Sequence, residues 1–465
     1  MKKTLLFITG LFMLSSVISC NAGKKQQDGD SANSGNTEET VSDEGVLTWT
    51  ALTNNKYWDK NSKDKYAYIS VKITGNQKKT EKKRVPLNIS LVLDRSGSMG
   101  GDAMKFAKDA AKFVVKQLSS DDILSIVNYD NTIEITSPSQ QVKNKELLIE
   151  KIEKIHSRGM TNLSGGALEG YKQVASTKKS NYVNRVLLLT DGMANQGITD
   201  PRQLSKIASS KFLEEGIALS TFGLGAEYDE DLLTQMAESG RGNYYYIDKA
   251  DKIPEIFAKE LDGLLNVVAQ NATVSIKLPS GVKCEKVYGY PYTEDGNKVI
   301  VALNDIFAKE DKVFLLKVRI TDNQEKELNF PVELAYVDAE TFASNTAKKD
   351  LAMQETSDKE KVTEHKNKQV AEFIALFEAT DTFDMILSDV DKNDYKAAKE
   401  KASSAIIRLK EVQKDMPSET LAEQEEKIQQ YMDNMDNVEQ MNREDKMILQ
   451  KSVKSENYST KKMRK

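Results

Sequence analysis

The chain has only two cysteines and two histidines in 465 residues. If Cys20 is used as argued below, Cys284 has no partner for an intramolecular disulfide. The fold must then be held by its core alone. Cys284 reads as a small hydrophobe in a strand rather than a reactive thiol. The shortage of histidine, with no H-E-x-x-H, G-x-S-x-G or P-loop motif, removes the common hydrolase and nucleotide-binding signatures. His156 is the one candidate for a general base near the polar loops described below, so a metal-dependent hydrolase is weakly supported. His365 falls on a charged helix and reads as solvated. Aromatic residues are 7% of the chain, the net charge is −5 and no basic stripe carries interleaved aromatics. That excludes nucleic acid as a partner. No apolar run is long enough for a stable membrane span: "LLFITGLFMLSSVI" covers residues 5–18, too short at about 1.5 Å per residue.

That run does have a meaning. Lys2 and Lys3 precede it, as in a secretory signal occupying residues 1–19. "VISC" follows directly and is similar to a lipobox, with Cys20 as the lipidated residue; an ordinary signal with an incidental cysteine is the alternative. Lipid chains would anchor a soluble ectodomain to a membrane. Asn21, where an aspartate would retain a lipoprotein in the inner membrane, points to the outer membrane of a bacterial cell envelope. Residues 20–45 are polar and aperiodic and read as a flexible tether.

Hydropathy periods divide the rest. Residues 46–84 carry two short strands that cannot form a stable sheet alone. Residues 85–265 alternate strands and helices, and "RVLLLT" at 185–190 is apolar on both faces. This predicts an α/β doubly wound, Rossmann-like sheet with helices on both faces. Residues 266–343 return to period two and predict antiparallel strands. The two early strands are expected to join them in one β-sandwich, with the α/β unit inserted. Residues 344–440 predict a helical hairpin or small bundle, and residues 441–465 a basic disordered tail.

"LVLDRSGSMG" at 91–100 ends a buried strand in a carboxylate and two hydroxyls. In doubly wound sheets ligands gather beyond the carboxyl ends of the strands. "RGMTNLSGG" at 158–166 and "LLLTDGMAN" at 187–195 should reach the same edge. Together they offer Asp94, Ser96, Ser98, Thr161 and Asp191. A donor set of carboxylates and hydroxyls selects a hard divalent cation: Mg2+, Ca2+ or Mn2+. With few carboxylates, the ion keeps an electrophilic position that a partner carboxylate can fill.

The D-x-S-x-S, threonine-loop and T-D-G pattern resembles the metal-ion-dependent adhesion site of the von Willebrand factor A family, over about residues 85–265. The wider layout is similar to inter-alpha-trypsin-inhibitor heavy-chain-like bacterial lipoproteins. The resemblance implies Ser96, Ser98 and Thr161 as direct ligands. It implies Asp94 and Asp191 in direct or water-mediated contact. It also implies a non-enzymatic protein that captures a protein ligand supplying an acidic residue. The alternative is an envelope assembly or scaffold factor in which the metal is structural and the sandwich and helices make the contacts. Deleting the chain beyond Ser344 is expected to separate the two.

Overall fold

The computed structural model describes residues 42–43, 45–77, 84–321 and 326–463. The signal segment, Cys20 and the tether up to residue 41 lie outside them.

The centre is a six-stranded sheet in the order Arg241–Ile247, Ala218–Leu224, Val183–Thr190, Leu87–Asp94, Ile123–Tyr129, Ile133–Gln141. All neighbours pair in parallel except the last, which is antiparallel. Every residue of Leu87–Asp94 and Val183–Thr190 is buried. Helices cover both faces, as the continuous apolar strands require. Asp102–Gln117, Lys145–Glu153 and Ile253–Leu265 pack on one face. Leu163–Ser176, Pro201–Glu215 and Glu230–Ser239 pack on the other. Asn162, Asp200 and Asp229 cap three of these helices by accepting from main-chain N–H groups in the first turn.

The flanking strands form two sheets around a shared core that includes Trp49, Ile69, Val274, Phe314 and Phe330. One sheet joins Leu47–Thr53 and Tyr66–Gly75 to Asp311–Ile320 and Val282–Tyr288. The other is built on Val267–Lys277 and Glu327–Asp338. The α/β unit is therefore an insertion between early and late strands of one sandwich. Ser42–Asp43, inside the stretch read as tether, pair with Leu47–Thr53.

Two further expectations from sequence fail. The sandwich does not end at residue 343: Ser344–Thr356 is a strand paired along Glu327–Asp338. Its "SNTAKKDLAMQET" suits a helix, but alternate residues bury Ala347 and Met353 in the sandwich core, while Thr346, Lys348, Asp350 and Gln354 face solvent. A deletion beyond Ser344 would therefore break the sandwich, so it cannot separate adhesion from scaffolding. The basic end is not a disordered tail: Arg443–Lys461 is a helix. It follows five others between Lys359 and Gln440. It carries few apolar residues: Leu449 and Val453 pack on the bundle and Tyr458 on the α/β unit, and polar groups add to them. Asn457 Nδ2 donates to the Thr380 carbonyl at 2.9 Å, and Lys451 Nζ to the Tyr228 carbonyl at 2.8 Å. Just beyond the helix, Lys462 Nζ donates to the Gly289 carbonyl at 2.7 Å. The chain end thus touches the bundle, the α/β unit and the sandwich.

Candidate metal centre

The parallel register sets Leu93 beside Leu189 and Asp94 beside Tyr129. Asp94 and the Thr190–Asp191 pair therefore leave the sheet side by side at its carboxyl edge. Asp94 is fully buried. Its Oδ1 accepts from the Ser96 N–H at 2.8 Å, and its Oδ2 from Thr190 Oγ1 at 2.6 Å. Ser96 Oγ lies 3.0 Å from Ser98 Oγ, and Ser98 Oγ donates to Asp191 Oδ1 at 2.7 Å. Four of the five expected donors form one hydrogen-bonded chain.

Thr161 arrives on the third loop. Its N–H donates to Asn195 Oδ1 at 2.9 Å, and the Asn195 N–H returns to the Thr161 carbonyl at 3.2 Å. Gly192 sits where the loops meet. A Cβ there would stand 3.3 Å from Thr161 Oγ1 and 3.6 Å from Ser98 Oγ. All five side chains therefore converge on one edge of the sheet.

The electrostatics are unbalanced. Burial pushes the Asp94 carboxyl up to about 6, against hydrogen bonds from Thr190 and Ser96, and the Asp191 charge adds to the rise. Burial also raises Asp191, opposed by the Ser98 hydroxyl. Arg95 stands between two donors in sequence but turns away. Its Nε binds Asp130 Oδ2 at 2.9 Å and its Nη1 binds Glu134 Oε2 at 2.6 Å. Arg158 Nε takes the same Asp130 oxygen at 2.8 Å. Burial opposes ionisation of Asp130, but Arg158, Thr132 and Arg95 hold its carboxyl down at about 2. Both nearby arginines are thus committed to acids outside the donor set, while Asp94 and Asp191 have no cation. One buried and one half-buried carboxylate with three hydroxyls, short of positive charge, fit a hard divalent ion. Among the described residues no group of three or more His, Cys, Asp or Glu side chains offers another metal centre.

Asp130, Thr190 and Asn195 support the site and were not singled out from sequence. Thr190 was within view, inside the T-D-G motif. Asp130 directly follows a strand that ends at the same edge, which is the signal that could have found it. His156 is exposed and lines a groove of about 520 Å³ with Lys105 and Lys108 along the first helix. Cys284 is half-buried in Val282–Tyr288, and burial pushes its thiol up, as suits an unreactive side chain.

The von Willebrand factor type A domain profile matches residues 88–259. An uncharacterised Escherichia coli protein, YfbK, is 31% identical over 48% of this chain and 39% of its own length. Inter-alpha-trypsin inhibitor heavy chain H2 of Sus scrofa is 28% identical over 34% of this chain and 18% of its own. The chain thus spans well under half of either relative. A solved von Willebrand factor type A structure from Catenulispora acidiphila shares the fold with a TM-score of 0.65 at 15% identity. It covers 83% of this chain and 90% of its own. Sheet order, helical layers and these matches together identify residues 88–259 as a von Willebrand factor type A domain, inserted in a β-sandwich and followed by helices.

Proposed function

We propose that this is a lipid-anchored protein of the bacterial cell envelope that captures a protein ligand through a divalent cation. Domains of this type serve adhesion and protein–protein contact. The observation that carries the reading is the convergence of Asp94, Ser96, Ser98, Thr161 and Asp191 with two carboxylate charges unmatched. Ser96, Ser98 and Thr161 would hold the ion directly, with Asp94 and Asp191 binding it or its waters. When bound, the ion supplies an electrophilic position for a partner carboxylate; Mg2+ is the expected cation, with Ca2+ or Mn2+ also suited to the donors. Cys20 would carry the lipid, with the outer membrane as the expected address.

Scaffolding with a purely structural metal is the second reading. It is favoured by the last helix, which ties bundle, α/β unit and sandwich together. One experiment separates the two. Asp94→Ala should abolish calorimetrically measured Mg2+ binding and should release envelope partners in pull-downs, as should chelation of the wild type. Partner capture that survives chelation of the folded protein would refute capture through the metal.

A further inference from the structure

We propose that the captured partner segment is a single acidic residue flanked by apolar side chains that pack on Met160 and Met193. This deepens the metal-dependent reading above and rests on it.

Met160 precedes Thr161 and Met193 follows Gly192, so each adjoins the point where the donor loops meet. They are 52% and 55% exposed, among the most exposed large apolar residues described. The loops that bear them are tied together by the Thr161–Asn195 main-chain and amide hydrogen bonds. Two water-exposed methionines therefore adjoin the donors in sequence, on loops that are braced against each other. An unbranched thioether side chain adapts to varied apolar partners.

The charge pattern sets the rest of the ligand. Residues 97–101, 159–160 and 192–197 contain no lysine, arginine or histidine. Arg158, the adjoining cation, is bound to Asp130. Asp94 and Asp191 together match the charge of one divalent ion. A first partner carboxylate has the ion itself to bind. A second would find the exposed Arg158 guanidinium already held by Asp130 through Nε, and would face the two aspartates. The platform therefore selects against an acidic cluster and for apolar neighbours around one acid.

Selection of a displayed random-peptide library on the full chain in Mg2+ tests this. Recovered peptides should carry one Asp or Glu beside apolar residues. Their affinity should fall about tenfold for each of Met160→Ser and Met193→Ser, with Mn2+ affinity unchanged. Lys105→Ala, on the neighbouring groove, should leave them unaffected. Acid-rich peptides sensitive to Lys105→Ala, or affinities indifferent to both methionine substitutions, would overturn the proposal. So would failure to select any peptide on protein that binds Mn2+. Wild-type protein that binds no Mn2+ would overturn the metal reading itself, and this proposal with it.

Discussion

Asp130 shows how a residue outside the donor set can govern the site. It is buried and receives Arg95 and Arg158, one from each of two donor loops. The Arg158 N–H also donates to the Arg95 carbonyl at 2.6 Å, and the Gly97 N–H to the Gly159 carbonyl at 3.1 Å. The two loops are thus laced together, with Asp130 beneath. Asp130→Ala leaves the Arg95 guanidinium buried without its main partner, which costs on the order of 3 kcal/mol. We expect that loss in denaturant unfolding and a weaker cation affinity in calorimetry, although every donor is intact. The sign with pH follows from the lowered carboxyl. Its contribution is fully present above about 4 and is lost as pH falls toward the folded value of about 2. In Asp130→Ala the stability curve should be flatter over that interval.

At the scale of elements, the helix Leu163–Ser176 positions Thr161 because it lies unusually close to the sheet. A Cβ on Gly166 would come within 2.5 Å of the Tyr129 ring, and one on Gly170 within 2.4 Å of Val92 Cγ2. Both neighbours belong to strands that deliver site residues. Gly166→Ala adds helix propensity of about 1 kcal/mol, yet overpacking against a buried ring costs about 1–3 kcal/mol. We expect the collision to win. The variant should melt below the wild type and bind cation more weakly, because lifting the helix displaces the loop directly before it. A higher melting temperature would show that Tyr129 can yield.

Across the whole molecule, polar contacts hold the parts in one unit. Arg185, on a central strand, is almost fully buried and binds Asp305 of the sandwich at 2.6 Å. On the opposite edge the last helix lies over Tyr228 and Tyr246 of the α/β unit, accepting from Tyr246 Oη at the Ile448 carbonyl. Glu230 is caught in that junction, 3.9 Å from Lys454. Burial pushes its carboxyl up to about 7, opposed by Lys454 and Lys451 and reinforced by Asp231 and Asp391. Tyr244 Oη also reaches it, at 3.5 Å. A raised carboxyl favours the folded state at low pH, and that advantage is lost as pH rises from the ordinary glutamate range through about 7. Stability should therefore decline between about pH 4.5 and 7 by on the order of 1–3 kcal/mol. Glu230→Gln should remove most of the decline in pH-dependent thermal melts.

Much of this was legible in the chain alone. The central sheet follows from continuous apolar strands such as Leu87–Asp94, whose burial on both faces demands helices on each side. The convergence of loops at its carboxyl edge follows from parallel topology, and that is why Asp94, Ser96, Ser98, Thr161 and Asp191 could be named together. Tertiary structure decided the rest, because it turned on partners distant in sequence. Ser344–Thr356 is a strand only because Glu327–Asp338 lies beside it. Arg443–Lys461 is ordered through polar groups whose acceptors are far away along the chain, at Tyr228 and Thr380. That Arg95 turns away from a cation site follows from its charge alone, but its partners there, Asp130 and Glu134, are linked to it by no local pattern. Hydropathy records what a residue avoids; only the folded arrangement records which oxygen it finds.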